Sequence, residues 1–303
     1  MSIQKKVLVT GATGFWGQHL LLLLRKIPDI ELISMGCYGA ASVDIVGDIS
    51  SKGAWQEEVS KLSISHVIHL AGLTRSENTI HLYNTHILGL ANLLDTFDKR
   101  KPWFLLVSSG AVYGITENSS LPISEDHGTA PITAYGKSKL EQELYLNENS
   151  TQLNGLCLVR PSNLIGPGLS DDFFLGKVVH QIRILSLSTN LAPVLKMGSL
   201  SVTRDFLDVR DAALAISTLL DKEVTGLFNL SSAKEYKLRD IVAECIQRVG
   251  LSISIMEDET IFPHPVKRQS LDNRKIISET VWTPKYSLSQ TIEDMYYFVS
   301  TEI

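Results

Sequence analysis

The sequence predicts an α/β fold: a doubly wound parallel sheet with a smaller carboxy-terminal lobe. Strand-like and helix-like segments alternate from the start of the chain to about residue 160, the rhythm of a parallel sheet with crossover helices. The strand-like runs are continuously apolar, as in strands covered on both faces. The first of them passes straight into a glycine-rich turn that opens a helix. With 303 residues the chain has room for one large α/β unit or two smaller lobes.

"KKVLVT" (5–10) is the first strand and 15–26 the first helix. "IELIS" (30–34) is the second strand. "VDIVGDI" (43–49) is the third, followed by a helix at 53–61. "SHVIHLAG" (65–72) is the fourth, with a helix at 79–98 after it. "WFLLVSS" (103–109) is the fifth, "ITAYGKSKLEQEL" (132–144) falls in the next helix, and "GLCLVR" (155–160) is the sixth. After Arg160 the alternation breaks into the turn-rich "RPSNLIGPG" (160–168). "TRDFLDVRDAALAISTLL" (203–220) reads as a short strand and a helix, and "GLFNLSS" (226–232) as another strand. "KLRDIVAECIQRV" (237–249) is an amphipathic helix, and a last helix follows "WTPKYSL" (282–288). The expected division is 1–160 for the sheet domain, with 203–222 returning to it, and 161–303 mainly for the second lobe.

Net charge is −5 with no basic run, which argues against nucleic acid, since phosphate binding needs clustered Lys and Arg. No apolar run reaches the roughly 18 residues of a membrane span; "HLLLLL" (19–24) is the most apolar stretch. The amino terminus enters a strand at once, which leaves no room for a signal peptide. Cys37, Cys157 and Cys245 are odd in number and lack a C-x-x-C spacing, so neither disulfides nor a metal site is expected. His81 and His86, five apart, would not share a helix face as metal ligands usually do. These features together suit a reducing cytoplasm.

Gly11, Gly14 and Gly17 stand at the first strand-to-helix crossing in "VTGATGFWG". Glycines there permit a tight turn and let the backbone approach a pyrophosphate, while the helix N-terminus supplies N–H groups. The position for an acid on a cofactor ribose, about 20 residues on, falls at Met35 or Gly36. No arginine stands there for a 2′-phosphate either, so NAD and NADP both remain open. Asp48 is a candidate for the adenine amino group. Ser108 and Ser109 end the fifth strand, where ligands bind in open α/β sheets. Tyr135 and Lys139, four apart on one helix, project to the same side. By themselves they are more readily a solvated helix face than a working pair. With Ser109 they form a candidate proton-transfer trio, in which a nearby ammonium and a cationic nicotinamide would lower the phenol pKa from roughly 10. Lys137 points elsewhere and is read as solvated.

In "TGATGFWG" (10–17), "GDI" (47–49), "HLAG" (69–72), "SSGAVYG" (108–114), "YGKSK" (135–139), "RPSNLIGPG" (160–168), "RDFLDVRD" (204–211) and "WTPKYSL" (282–288), the chain resembles the extended short-chain dehydrogenase/reductases, specifically those acting on nucleotide sugars. The resemblance spans almost the whole chain. It implies a Rossmann-type NAD(P) domain and a lobe that holds a nucleoside-diphosphate sugar. It makes Tyr135 the general acid/base, Lys139 its modulator and ribose ligand, and Ser109 the partner of the reacting oxygen. Gly11, Thr13, Gly14, Phe15, Trp16, Gly17, Asp48, Ile49, Leu70, Ala71, Gly72 and His86 are implied around the cofactor. Ser109, Gly110, Ala111, Asn163, Arg204 and Arg268 are implied around the substrate.

The departures from the family pattern are as informative. Gly110 and Ala111 occupy the positions of the acid pair that 4,6-dehydratases carry, which disfavours water elimination. His86 replaces an asparagine. Phe262 replaces a second phosphate-binding arginine, which leaves Lys267 or Arg268 to take over. The expected activity is hydride transfer at C4 of a nucleoside-diphosphate hexose. Reduction of a 4-keto-6-deoxy sugar is preferred and 4-epimerisation is the alternative. A non-catalytic dinucleotide-binding sensor or scaffold is a distant third, against which the retained Ser109, Tyr135 and Lys139 argue. The resemblance also implies a homodimer through 79–98 and 133–149, with Leu82, Leu90, Leu93, Leu94, Leu140 and Leu144 as candidate stripes.

Overall fold

The computed structural model describes residues 4–37, 43–97, 101–187, 193–250, 252–258 and 265–302; Phe262 lies outside them. In chain order the strands are β1 (Lys5–Thr10), β2 (Ile30–Gly36), β3 (Ile45–Val46), β4 (His66–His69), β5 (Trp103–Val107), β6 (Gly155–Pro161), β7 (Asn163–Ile165), β8 (Val194–Met197), β9 (Thr203–Asp208), β10 (Gly226–Leu230), β11 (Glu235–Lys237), β12 (Ser254–Glu257) and β13 (Arg268–Gln269). The helices are α1 (Phe15–Leu24), α2 (Ala54–Lys61), α3 (Thr79–Tyr83), α4 (Gly89–Leu94), α5 (Ala134–Glu148), α6 (Phe174–Leu187), α7 (Val209–Lys222), α8 (Leu238–Val249), α9 (Arg274–Thr280) and α10 (Leu288–Glu302).

The main sheet has seven strands in the order β10-β6-β5-β4-β1-β2-β3, every pair parallel. The connection reverses direction between β1 and β4, and a crevice opens at such a switch point. The strands are apolar on both sides because both sides are covered. One layer packs α1 and α7, through Leu20, Leu24, Ala212, Ile216 and Leu219, onto Val7, Val9 and Leu105. The other packs α2 and α4, through Trp55, Val59, Leu90 and Leu93, onto Leu8, Val67 and Leu106. The leucine run of α1 thus divides: Leu20, Leu21 and Leu24 are buried and Leu22 is exposed.

Two predicted elements differ. The third strand shrinks to Ile45–Val46. Gly47 still donates to the Gly36 carbonyl at 2.9 Å, but Trp55 packs flat on it, within 2.5 Å of where a Cβ would stand. The chain then turns, with Asp48 Oδ1 accepting from the Ser50 N–H and hydroxyl. The helix predicted over 79–98 is α3 and α4 joined by a π-helical segment, Asn84–Leu88. The wide turn changes which residues face inward: His86 is fully buried, while His81, Asn84 and Thr85 border the crevice.

The second lobe is built on β9, flanked by antiparallel β11 and by parallel β7 and β13. A two-stranded β8–β12 ribbon and α6, α8 and α10 enclose its apolar core. Its joint with the first lobe explains two motifs. Asp208 caps α7 through the Arg210 N–H, binds the Arg210 guanidinium at 2.7 Å and accepts from Thr291 of α10. Asp211 Oδ2 accepts the Lys285 and Tyr286 N–H groups, both at 2.9 Å, and its carbonyl accepts the Trp282 indole N–H. "RDFLDVRD" and "WTPKYSL" are therefore two halves of one hinge-like seam. Among the described residues no helix is long and apolar enough to cross a membrane.

Candidate active site

Two contiguous cavities lie along the carboxyl ends of the main sheet, sharing Gly11, Gly14, Leu70, Gly72 and Leu73. The larger, about 570 Å³, runs over the end of β2 and includes Thr13, Met35, Gly36, Cys37, Asp48 and Ile49. The smaller, about 380 Å³, includes Phe15, Trp16, Gly17, Ser109, Tyr135, Lys139 and Asn163. Together they form one groove across the switch point, with the N-terminus of α1 opening into it.

The glycines are there for close approach. Gly11 has φ +69°, and a Cβ on it would come within 2.6 Å of the Ala71 nitrogen. A Cβ on Gly17 would come within 2.3 Å of the Gly11 carbonyl oxygen. Side chains at either position would lift the turn from β4 and fill the path that a pyrophosphate takes to the helix N-terminus. The turn and groove therefore fit a dinucleotide, and the end of β2 offers no carboxylate to a ribose.

Helix α5 delivers the reactive side chains. Thr133 caps it through the Gly136 N–H. Tyr135, Lys139 and Glu143 follow at four-residue spacing and face the sheet. Lys139 Nζ donates to the Val107 carbonyl at 2.9 Å and to Gln142 Oε1 at 3.0 Å. A protonated lysine has three donors, so one is left for a ligand. Burial lowers its pKa from 10.5 to about 7, with the Glu143 carboxylate opposing the shift. Ser109 Oγ accepts the Ala111 N–H at 3.1 Å, which leaves its own proton for Tyr135 or a substrate oxygen.

Within the chain itself, burial raises the Tyr135 pKa and the Ser109 hydroxyl pulls it down more weakly, while the Lys139 amine is engaged with Val107 and Gln142. The lowering expected of Tyr135 belongs to the state with a cationic nicotinamide beside it.

The remaining predicted residues divide. Asn163 borders the smaller cavity, and its amide donates to the Asp205 carbonyl at 2.9 Å. Gly110 and Ala111 border neither cavity. A Cβ on Gly110 would press on Leu271 at 3.0 Å and on the Pro161 carbonyl at 3.1 Å, so no acid fits there without rearrangement. Arg204 Nη1 and Nη2 donate to the carbonyls of Thr203 at 2.8 Å and Val266 at 2.7 Å; burial lowers its pKa to about 10. Arg268 forms an exposed ion pair with Glu235 and borders neither cavity. Instead of facing the cofactor groove, His86 lies behind it. Its Nδ1 is 2.8 Å from Ser138 Oγ, whose proton goes to the Tyr135 carbonyl, so Nδ1 carries the ring proton. Nε2 is buried and unpartnered, 2.9 Å from where a Gly72 Cβ would stand. Burial, reinforced by Lys139 and His69, drives the ring's pKa down to about 2.

Sequence reasoning missed the groups that hold Lys139. Gln142 Nε2 reaches His69 Nε2 at 3.3 Å, and His69 Nδ1 lies 2.8 Å from Thr10 Oγ1. Thr10 in turn accepts the Ala71 N–H. A buried polar chain thus links the lysine to the backbone against which Gly11 packs. The signal was a histidine closing an apolar strand and a glutamine three residues after the lysine on one helix face. The pairing joins residues 73 apart, and no local pattern encodes it.

Ser109, Tyr135 and Lys139 in one groove at the switch point, beside a glycine turn shaped for a dinucleotide, define an NAD(P)-dependent enzyme of the extended short-chain dehydrogenase/reductase type. A model of the NAD dependent epimerase/dehydratase family matches residues 7–231, and the chain belongs to that family. It is 30% identical over 299 residues to a GDP-6-deoxy-D-mannose reductase of Pseudomonas aeruginosa, with 95% of each chain covered. It is also 30% identical to a GDP-6-deoxy-D-talose 4-dehydrogenase of Aggregatibacter actinomycetemcomitans, covering 86% of this chain and 85% of the relative. The structure of RMD from Pseudomonas aeruginosa complexed with NADPH superposes with a TM-score of 0.87 at 27% identity, over 99% of this chain and 100% of that one.

The low pKa of Lys139 has a pH signature. Between about pH 7 and 10.5 the unfolded lysine binds a proton that the folded one has released, so folding stability rises with pH there. Urea denaturation of wild type and Lys139→Met should therefore show the stability difference moving in favour of wild type from pH 6 to pH 9. A difference that stays flat over that range contradicts the assignment.

Proposed function

We propose that this enzyme reduces the C4 keto group of a GDP-linked 4-keto-6-deoxyhexose, with NADPH as the reductant. The observation that carries the reading is the placement of Tyr135, Ser109 and Lys139 together in the groove, in a chain similar over nearly its full length to a GDP-6-deoxy-D-mannose reductase. The end of β2 carries no carboxylate, although Asp48 lines the same cavity; the preference for NADPH is supported by the likeness to RMD from Pseudomonas aeruginosa complexed with NADPH.

Bound in the groove, the nicotinamide supplies the hydride. Ser109 directs a hydrogen bond to the C4 oxygen and polarises the carbonyl without giving up its proton. Tyr135 gives up its proton to that oxygen as negative charge develops on it. Lys139, fixed by Val107 and Gln142, offers its remaining N–H to the cofactor ribose and stabilises the phenolate left behind. Asn163 holds the sugar from the second lobe. Arg204 keeps its Nε–H and one Nη2–H for the substrate diphosphate; Arg268 takes no part. The alternative, 4-epimerisation, rests on the likeness of "VIHLAGL" and "SSGAVYG" to UDP-hexose 4-epimerases and would consume no net NADPH.

The helices expected to pair, at 79–98 and 133–149, carry the makings of a dimer face, with only part of the expected leucine stripe. Leu82, Leu90, Leu93 and Leu94 are buried inside the chain, Leu140 is half-buried and Leu144 is exposed. The exposed apolar residues on this side are Ile80, Leu88 and Leu144, on the α3 to α4 run and on α5, which lie side by side. Pairing two such faces would bury them in a four-helix arrangement.

Two experiments test these readings. With GDP-4-keto-6-deoxymannose, wild type should consume NADPH in step with product, and Tyr135→Phe should lower turnover at least about a hundredfold while NADPH binding persists. Conversion without NADPH loss would favour the epimerase, and near-normal turnover in the variant would remove Tyr135 from the chemistry. Sedimentation at micromolar concentration should show a dimer that the double variant Leu88→Glu, Leu144→Glu converts to monomer; a monomeric wild type would sink the dimer.

A further inference from the structure

The smaller cavity has a charged residue at its rim that neither the motifs nor the reaction has used. Arg75, on the loop between β4 and α3, is exposed and lines the same cavity as Ser109, Tyr135 and Asn163. It is the only arginine lining either cavity among the described residues. No carboxylate of the described residues pairs with it. Its guanidinium carbon instead lies 5.4 Å from the centroid of Phe173, which belongs to the second lobe, immediately before α6, and lines the cavity from the opposite wall.

An exposed arginine is usually solvated, free to sweep many rotamers. Seating the guanidinium on an aromatic face restricts it and uses none of its N–H donors in a hydrogen bond. A planar fork of donors matches adjacent oxygens on one ligand. The inner end of the cavity is set by Ser109 and Tyr135, which fix one ligand oxygen. The remaining walls near it are largely apolar, with Leu73, Leu164 and Leu169 prominent. A hexose held by its C4 oxygen at the inner end therefore needs a second set of donors for its other oxygens, and Arg75 stands at the rim with that set unused.

We infer that Arg75 is a specificity-determining residue: clasped against Phe173 across the mouth of the cavity, it donates hydrogen bonds to hydroxyls of the hexose while C4 rests on Ser109 and Tyr135. This deepens the proposed function and rests on it. The contact spans both lobes, so it ties the loop after β4 to the second lobe at the rim of the cavity. Lysine would be a poor substitute, because an ammonium has neither the fork nor the flat face that stacks on the ring.

Calorimetry with GDP, GDP-mannose and NADPH separates this role from its neighbours. In Arg75→Ala, affinity for GDP-mannose should fall about ten- to thirtyfold, while affinities for GDP and NADPH stay within about twofold of wild type. Arg75→Lys should recover little of the loss. Phe173→Leu should show a smaller loss of the same selectivity. An unchanged GDP-mannose affinity in Arg75→Ala overturns the inference and leaves the proposed function intact. An equal loss for GDP would make Arg75 a diphosphate contact, and an equal loss for NADPH a cofactor contact; either overturns it. A wild type that binds neither GDP nor GDP-mannose overturns both the inference and the function on which it rests.

Discussion

Glu143 is the residue on which the placement of the chemistry depends. Its carboxylate takes both the Nε and Nη2 of Arg160, at 3.0 and 2.6 Å, and the hydroxyl of Ser108. Ser108 follows β5, Arg160 is in β6, and Glu143 is on α5, so one buried group ties the helix to the ends of two strands. The pair is almost wholly out of water, with side chains 7% and 3% exposed. A buried ion pair contributes little net stability, but removing one partner costs about 3–5 kcal/mol because the other charge is left unpaired. Here that penalty enforces geometry. Any slide of α5 that moved Tyr135 away from Ser109 would strand the Arg160 guanidinium. Arg160 in turn lies over the Tyr113 ring at 4.8 Å, and the Tyr113 hydroxyl donates to Asn229 of β10, so the anchor reaches the edge of the sheet.

The second lobe is held to this frame by carboxylates as well. Asp208 and Asp211, three residues apart at the start of α7, receive the chain end through Thr291, Lys285, Tyr286 and Trp282. Gln269 of β13 donates to the Gly110 carbonyl at 3.0 Å, so the turn that presents Ser109 is fixed by both lobes. Asp205, buried beside Asn163, accepts from Ser162 and Ser232, and burial lifts its carboxyl to about 6. The groove is therefore walled by rigid elements, and the groups facing into it are the few left with unused donors.

What was legible in the sequence was local. The β1 to α1 turn announces itself because three glycines and an apolar strand fall within a dozen residues, and Tyr135 and Lys139 because a helix puts i and i+4 together. The helix at 174–187 was missed, although Leu175, Val178, Val179 and Ile182 keep the i, i+3, i+4, i+7 spacing; the turn-rich residues before it hid its start. The strands of two or three residues, β3, β7, β11 and β13, have no length in which a pattern could appear and exist only through their partners. Periodicity also could not decide between core and interface: Leu90 and Leu93 fit either, and the π-helical segment turns them inward. The Arg204 and Arg268 expectations came from motif position, which does not report that part of the Arg204 guanidinium is bonded to backbone carbonyls while Arg268 pairs with Glu235. The contact of Arg75 with Phe173 spans nearly a hundred residues and leaves no trace in either local sequence.

The central claim is that this frame presents a proton donor to a C4 oxygen while hydride arrives from a dinucleotide in the groove. It is tested most directly by following the label from NADPH deuterated at the nicotinamide C4, on one face at a time, into the product formed from GDP-4-keto-6-deoxymannose. The account predicts a single deuterium at sugar C4 from one of the two labelled cofactors and none from the other. Product without deuterium at C4 from either cofactor would contradict it.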